Sequence, residues 1–332
     1  MEKTSATGEL TCWVVTDGRA GIEAQALGLA EAVAETRPLQ ISVKRVIIQS
    51  PWRHLPRQFW GDALSRLDQA GASLAPPWPD LWIACGRLSA PLSIAVKRKS
   101  PSTFVVQLQD PRAPASLFDL VIAPEHDGVS GRNVVSIVGS TTRVRRRDPS
   151  LAERRAAPLV AVLIGGPNRA FRFGRTDARS LSEQLKRLAD EGVSLSVTTS
   201  RRTPPEAARI LEESLSGAAC KFWRADCGEK EANPYPEMLE GVDAVIVTED
   251  SVNMAVEAAM TGAPVHIARL RRKPFSSASK FDAFHNSLMA RGAAKYFDGE
   301  IEHFSYEPLN ETKRAAAELS RRLERFASSR FR

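Results

Sequence analysis

Short runs of apolar, mostly β-branched residues recur along this chain at 10–16, 41–48, 80–85, 103–108, 120–123 and 134–138, with helical spacing at 22–35 and 90–98. Short strands separated by helical segments cannot close as hairpins, so each must reach a parallel neighbour by a crossover, which dictates a helix-flanked sheet. The scheme repeats at 159–163, 193–198, 221–223, 244–247 and 265–270. Between the two series, 141–158 turns polar and carries basic clusters at 143–147 and at Arg154-Arg155. The expected fold is therefore α/β, with two Rossmann-like domains facing a cleft. Residues 1–145 form the first domain, 146–157 a linker and 158–310 the second. The amphipathic, Arg-rich segment 311–332 forms a C-terminal helix packing across or on either domain. A chain of 332 residues has ample material for two cores.

Charge narrows the partners. The formal net charge is +7, yet the basic residues are scattered among many acids, which favours an anionic ligand or membrane surface without requiring nucleic acid. No RNA-binding or zinc-finger pattern occurs and aromatics are sparse, so no nucleic-acid partner is expected. Cys12, Cys85, Cys220 and Cys227 show no C-x-x-C spacing and read as structural thiols of a reducing compartment. The first ten residues lack an apolar signal core, and no run approaches the ~18 apolar residues of a membrane span. A cytoplasmic protein is expected, with a peripheral place on the inner face of the cytoplasmic membrane. Residues 45–60 would make that contact, because Ile47, Ile48, Trp52, Leu55, Phe59 and Trp60 interleave there with Arg45, Arg53, His54 and Arg57. A partly buried loop explains the same residues equally well.

The richest unit is 243–264. Asp243-Ala-Val-Ile-Val247 reads as a buried strand, Ser251 as the cap of a small-residue helix, and Gly262 before Pro264 as its end. Glu249 then stands at the strand's carboxyl end and Glu257 within the helix's first two turns, so both carboxylates can face one cleft beside helix-end amides. That combination suits a sugar nucleotide, with diphosphate at the helix end and hydroxyls on the carboxylates. An ordinary βαβ unit with two solvated glutamates is the competing reading.

Ligands of open α/β sheets bind at the carboxyl ends of strands, so the other strand-end loops matter. Thr16-Asp17-Gly18-Arg19-Ala20-Gly21 follows the first strand; it is not a dinucleotide fingerprint, but Asp17 is a general-base candidate. Cys85-Gly86-Arg87, Gln107-Leu108-Gln109-Asp110-Pro111-Arg112 and Pro124-Glu125-His126-Asp127 end three more strands, and His126 could take a proton near neutral pH or be a plain loop histidine. In the second half, Gly165, Gly166 and Asn168 form a glycine-rich turn that could face phosphate. Arg201 and Arg202 could clamp a diphosphate or form a solvated basic turn. Asp-x-Asp, H-E-x-x-H, G-x-S-x-G and Walker A patterns are all missing, so neither a metal nor a resident cofactor is expected.

Taken together, Asp17-Gly18-Arg19-Ala20-Gly21, Gln107 to Arg112, Ala123 to Asp127, Ile164-Gly165-Gly166-Pro167-Asn168, Ser200-Arg201-Arg202-Thr203-Pro204 and Val247-Thr248-Glu249-Asp250-Ser251-Val252-Asn253-Met254 resemble the mitochondrial-fission Elm-type family over nearly the whole chain. Bacterial members of that family look like GT-B glycosyltransferases, whereas its name comes from eukaryotic relatives linked to recruiting the fission machinery. The Glu249 to Glu257 spacing also looks like the E-x7-E element of several GT-B transferases. That likeness implies that Glu257 contacts nucleotide ribose and that Glu249 lies near the donor sugar. Asp250-Ser251-Val252-Asn253 departs from the glycine-containing turn usual there.

The resulting expectation is a metal-independent glycosyltransferase that moves a sugar from a nucleotide-sugar donor to a glycan or lipid-linked acceptor in the cell envelope. The first domain would hold the acceptor and the second the donor. Asp17, His126 and Glu249 would be catalytic. Gly165, Gly166, Asn168, Arg201, Arg202, Ser251, Asn253 and Glu257 would bind the nucleotide. A non-catalytic membrane-associated adaptor and a nucleotide-sugar epimerase are the alternatives.

Overall fold

The computed structural model describes residues 9–144, 156–225 and 234–329, so Cys227 and most of the expected linker lie outside the described residues. Two compact units result, the first formed by Met1–Arg143 with Asn310–Arg332 and the second by Val144–Leu309.

In the first unit the chain runs β1 (Leu10–Thr16), α1 (Ala20–Ala34), β2 (Leu39–Arg45), β3 (Leu81–Cys85), α2 (Ala90–Lys99), β4 (Phe104–Leu108), β5 (Leu120–Pro124) and β6 (Val134–Ile137). All pair in parallel, in the order β2-β1-β3-β4-β5-β6. Every residue of β3, β4 and β5 is buried, the signature of strands covered on both faces. Alternation sorts their side chains. Val14, Ile83, Val106 and Ile122 join the core on one face of the sheet, while Val15, Ala84, Val105 and Val121 join the other. Because the first strand sits beside both β2 and β3, the chain reverses its direction of travel across the sheet there, and the loops after β1 and β3 flank the switch point.

The second unit is built from β7 (Leu159–Ile164), α3 (Arg175–Asp190), β8 (Ser194–Thr199), α4 (Pro205–Ser214), β9 (Cys220–Trp223), α5 (Tyr235–Met238), β10 (Ala244–Thr248), α6 (Val252–Thr261), β11 (Val265–Ala268), α7 (Ser279–Ala290) and β12 (Ala294–Tyr296). Its parallel sheet has the order β12-β11-β10-β7-β8-β9, that of a Rossmann sheet with its switch point between β7 and β10. The signals at 251–262 do what their chemistry requires. Ser251 Oγ accepts from the Met254 amide, and Gly262 ends α6 at a φ of 84° that a side chain would resist. β12 was not expected, since three residues are too few to show alternation; it exists because β11 offers it an edge.

A final helix, α8 (Glu311–Ser328), returns to the first unit and packs its Ala315, Ala316, Leu319 and Leu323 into the core that contains α1. Its first turn is tied down by Glu311, which accepts the Val138 amide at 2.8 Å, and by Thr312, whose Oγ1 accepts the Thr142 amide at 3.0 Å. The same segment crosses α1 so closely that a Cβ on Gly28 would lie 2.3 Å from the Thr142 carbonyl oxygen. Gly28→Ala is therefore expected to destabilise: the helix-propensity gain of about 1 kcal/mol is outweighed by a backbone clash costing about 1–3 kcal/mol more than that. A raised melting temperature for this variant would contradict the packing. Among the described residues, no helix is long and apolar enough to cross a membrane.

Candidate functional site

At the switch point of the second sheet, the loops after β7, β8 and β10 meet around one carboxylate. Asp250 has no exposed side-chain surface and accepts from three directions: the Gly166 amide at 2.9 Å, Thr248 Oγ1 at 2.7 Å and Arg202 Nη2 at 2.7 Å. Arg202 also donates to the Gly166 carbonyl at 3.1 Å, and Thr248 Oγ1 accepts the Gly165 amide at 2.8 Å. The close approach explains the glycine pair. A Cβ on Gly165 would stand 2.3 Å from the Asp250 oxygens, and one on Gly166 would stand 2.3 Å from the Arg202 carbonyl oxygen.

This arrangement ties down several residues that the sequence singles out as nucleotide contacts. In this structure the Gly165 and Gly166 amides donate to Thr248 and Asp250, and the Ser251 amide donates to the Thr248 carbonyl at 3.3 Å. Asn168 is likewise committed: its Oδ1 accepts from Ala170 and Phe171 amides at 2.7 and 2.9 Å, while its Nδ2 donates to the Asp250 carbonyl. Arg202 anchors Asp250 and the Gly166 carbonyl. Arg201 beside it is exposed and makes no ion pair with the described residues.

Glu249 is buried by the loops on either side of it. β7 and β11 flank β10, and the segments that follow them join in an antiparallel bridge between Phe171 and Arg272, backed by Lys273 N to Ala170 O at 2.8 Å. Arg271 and Arg272 fasten the second of these segments to Asp177 and Asp282. Only 5% of Glu249 is left exposed, and burial pushes its carboxyl above the ordinary range. The Leu270 amide, which donates to its Oε1 at 3.1 Å, and the Arg272 and Arg269 charges pull the other way. In this structure Glu249 holds the β11 loop.

Glu257 is presented differently. It sits half-buried on the second turn of α6, one turn after Asn253 and on the same face. The Tyr235 hydroxyl, from α5, donates to its Oε2. Sequence reasoning missed Tyr235 because it lies in an irregular polar stretch with no spacing that relates it to residue 257.

In the first unit Asp17 and His126 end β1 and β5, three strand spacings apart, or about 14 Å. Both Asp17 oxygens accept from Arg19, at 2.6 Å from Nη2 and 2.9 and 3.1 Å from Nε, so the carboxylate serves as that guanidinium's anchor. His126 lies in a single 3-10 turn, Glu125–Asp127. The switch point here has a polar network centred on Gln25, which the sequence did not single out: its Oε1 accepts from Gln109 Nε2 at 3.1 Å and from the Cys85 thiol at 3.6 Å. Gln109 and Arg112 both take left-handed backbone angles, with φ of 66° and 51°, a strained pair within four residues of the loop after β4. Within 45–60, Trp60 and Ile48 are buried, but Phe59 and Ile47 are 59% and 48% exposed. Arg53 and Arg57 beside them make no ion pair with the described residues.

The family model described as Mitochondrial fission ELM1 matches residues 20–323. The chain belongs to this family. The Mitochondrial fission protein ELM1 of Arabidopsis thaliana is 31% identical over 74% of the chain, which spans 64% of that relative's length. An uncharacterized protein of Rickettsia prowazekii, RP120, is 26% identical, covering 92% of this ELM1-family chain and 97% of its own. Solved structures extend the likeness to the whole fold. An S. aureus MnaA complex with UDP superposes with a TM-score of 0.55 at 13% identity, over 96% of this chain and 89% of that one. A Methanocaldococcus jannaschii UDP-GlcNAc 2-epimerase with UDP-GlcNAc and UDP gives 0.54 at 12%, over 95% and 99%. A glycotransferase of kitacinnamycin gives 0.50 at 14%, over 96% and 94%. At these identities what is shared is the fold, which is that of GT-B glycosyltransferases and epimerases.

Proposed function

We propose that this ELM1-family chain binds a nucleotide sugar in its second unit and transfers the sugar, without a metal, to a glycan or lipid-linked acceptor. The observation that carries the reading is Glu257: a carboxylate bonded to a tyrosine, on the second turn of a helix that starts at the switch point, the end of an open α/β sheet that receives ligands. Glu257 accepts from ribose hydroxyls, and Asn253 lies on the same face one turn earlier. Arg201 meets the diphosphate and stabilises the charge that grows on it as the glycosidic bond breaks. Glu249 and Asp250 act through the loops they hold. On the acceptor side His126 takes the hydroxyl proton, while Asp17 fixes Arg19. Uridine nucleotides are the first donors to test, since UDP and UDP-GlcNAc are the ligands named for two proteins of the same fold.

A second reading, a membrane-bound adaptor, is favoured by the exposed Phe59 and Ile47 beside Arg53 and Arg57. Product analysis separates the readings. The protein is incubated with UDP-sugars and short glycan or polyprenyl-phosphate-linked acceptors, and products are resolved by mass and by sugar stereochemistry. Transfer to an acceptor supports the proposal, and a donor epimer formed without acceptor replaces it with the epimerase reading. No conversion, together with sedimentation on anionic vesicles that Phe59→Ser and Arg57→Glu abolish, replaces it with the adaptor.

A further inference from the structure

The ring of Phe275, in the loop after β11, stands clear of the rest of the protein: its relative exposure is 110%, against 59% for Phe59. It takes the third position of a turn closed by the Ser276 amide on the Lys273 carbonyl at 3.4 Å, with Pro274 second. Its φ of 57° is the left-handed value that glycine or asparagine supplies at that position of a turn. Phenylalanine suits the place badly, because a bulky side chain in this region crowds its own backbone. Looseness does not account for it. The Lys273 amide donates to the Ala170 carbonyl at 2.8 Å, Ser276 Oγ donates to the carbonyls of Lys273 at 2.7 Å and Ala170 at 3.2 Å, and Arg271 and Arg272 are pinned to Asp177 and Asp282. A braced turn thus holds an aromatic ring where the backbone resists it and the core gains nothing, so what the ring binds lies outside the fold.

Shape and charge identify the occupant. A ring with no wall beside it cannot line a small-molecule pocket, which must be concave; it is a projection that enters something else. Arg169 and Arg172 flank the Ala170-Phe171 pair to which the turn is fastened, both are exposed, and with Lys273 they make no ion pair with the described residues. Three unneutralised cations around one projecting ring match the surface of an anionic bilayer, where the ring passes the headgroups and the cations stay with the phosphates. A protein partner would favour a surround depleted of charge. We infer that the Phe275 turn, with Arg169, Arg172 and Lys273, is a membrane-anchoring site of the second unit that selects anionic lipid. It stands whether or not this unit binds a nucleotide, and it belongs to a different unit from the Phe59 surface.

The test is flotation of the full chain with phosphatidylcholine vesicles, with and without phosphatidylglycerol, at low and high salt. The wild type is expected to float with the anionic vesicles and to be released from them by salt. Phe275→Asn, which suits the left-handed turn, should weaken vesicle binding by about tenfold while melting at or above the wild-type temperature, and Phe275→Trp, an aromatic of bilayer interfaces, should retain binding. Arg169→Gln, Arg172→Gln and Lys273→Gln together should weaken binding to anionic vesicles by about 100-fold, about fivefold for each charge. Wild-type flotation of Phe275→Asn or of the triple variant overturns the anchoring site, as does flotation that only Phe59→Ser removes. A wild type that floats with neither vesicle overturns it too and leaves the turn to a protein partner.

Discussion

Asp250→Ala is expected to lower the stability of the second unit by about 3 kcal/mol, the lower end of the range for breaking a buried ion pair. The loss comes from the groups that the substitution would orphan. Asp250 takes hydrogen bonds from the Gly166 amide, the Thr248 hydroxyl and the Arg202 guanidinium, and its carboxylate is fully buried. Alanine leaves the amide and hydroxyl without an acceptor, at about 1–3 kcal/mol each, and opens space where Gly165 had been pared back to admit the carboxylate. Arg202 mitigates the loss, since 44% of its side chain already meets water and it can swing out to be solvated. For a unit of this size the change corresponds to a melting temperature lower by about 6–12 °C. Asp250→Asn retains an acceptor for the amide and should fall between the two. A melt of Asp250→Ala within 2 °C of wild type would show that the three loops do not depend on this residue.

The same network shows why the fold was legible in the sequence and much of the site was not. Strands such as β4 and β10 announce themselves because every position must be apolar when both faces are covered, and α6 because Ser251 and Gly262 meet requirements that belong to helix ends alone. Such rules are local. Gly165-Gly166 suggests a turn open to phosphate because glycine signals close approach, but spacing cannot say what approaches; here it is Asp250 and the backbone of Arg202, both distant in sequence. Arg201 and Arg202 look alike on paper and differ in the fold only because one meets a buried carboxylate. Asp17 and His126 each end a strand, and only the order β2-β1-β3-β4-β5-β6, invisible in any single motif, sets three strand spacings between them. Tyr235 had no pattern to betray it.

With Gly165, Gly166, Ser251, Asn168 and Arg202 bonded within the protein, the nucleotide hypothesis turns on one side chain, and Glu257→Gln is its sharpest measurement. In the wild type, a nucleoside diphosphate at ~100 times its Kd should add about 2.7 kcal/mol of stability by mass action. Glutamine preserves the shape of the side chain but loses its charge, so a ligand hydroxyl meets a neutral acceptor in place of a carboxylate. Loss of hydrogen bonds to a charged acceptor is worth about 1.5–3 kcal/mol, so Kd should rise roughly 10- to 100-fold. For a rise of about 30-fold, the same ligand concentration is only about three times Kd, and the stabilisation falls to about 0.8 kcal/mol. The unliganded variant should melt near the wild type, because Glu257 is half-buried on a helix face and contributes little to the core. Equal stabilisation of both proteins would place the nucleotide elsewhere in the fold, whereas no stabilisation of either, in samples with intact cooperative melts, would shift the function to the exposed Phe59 and Ile47 surface of the first unit.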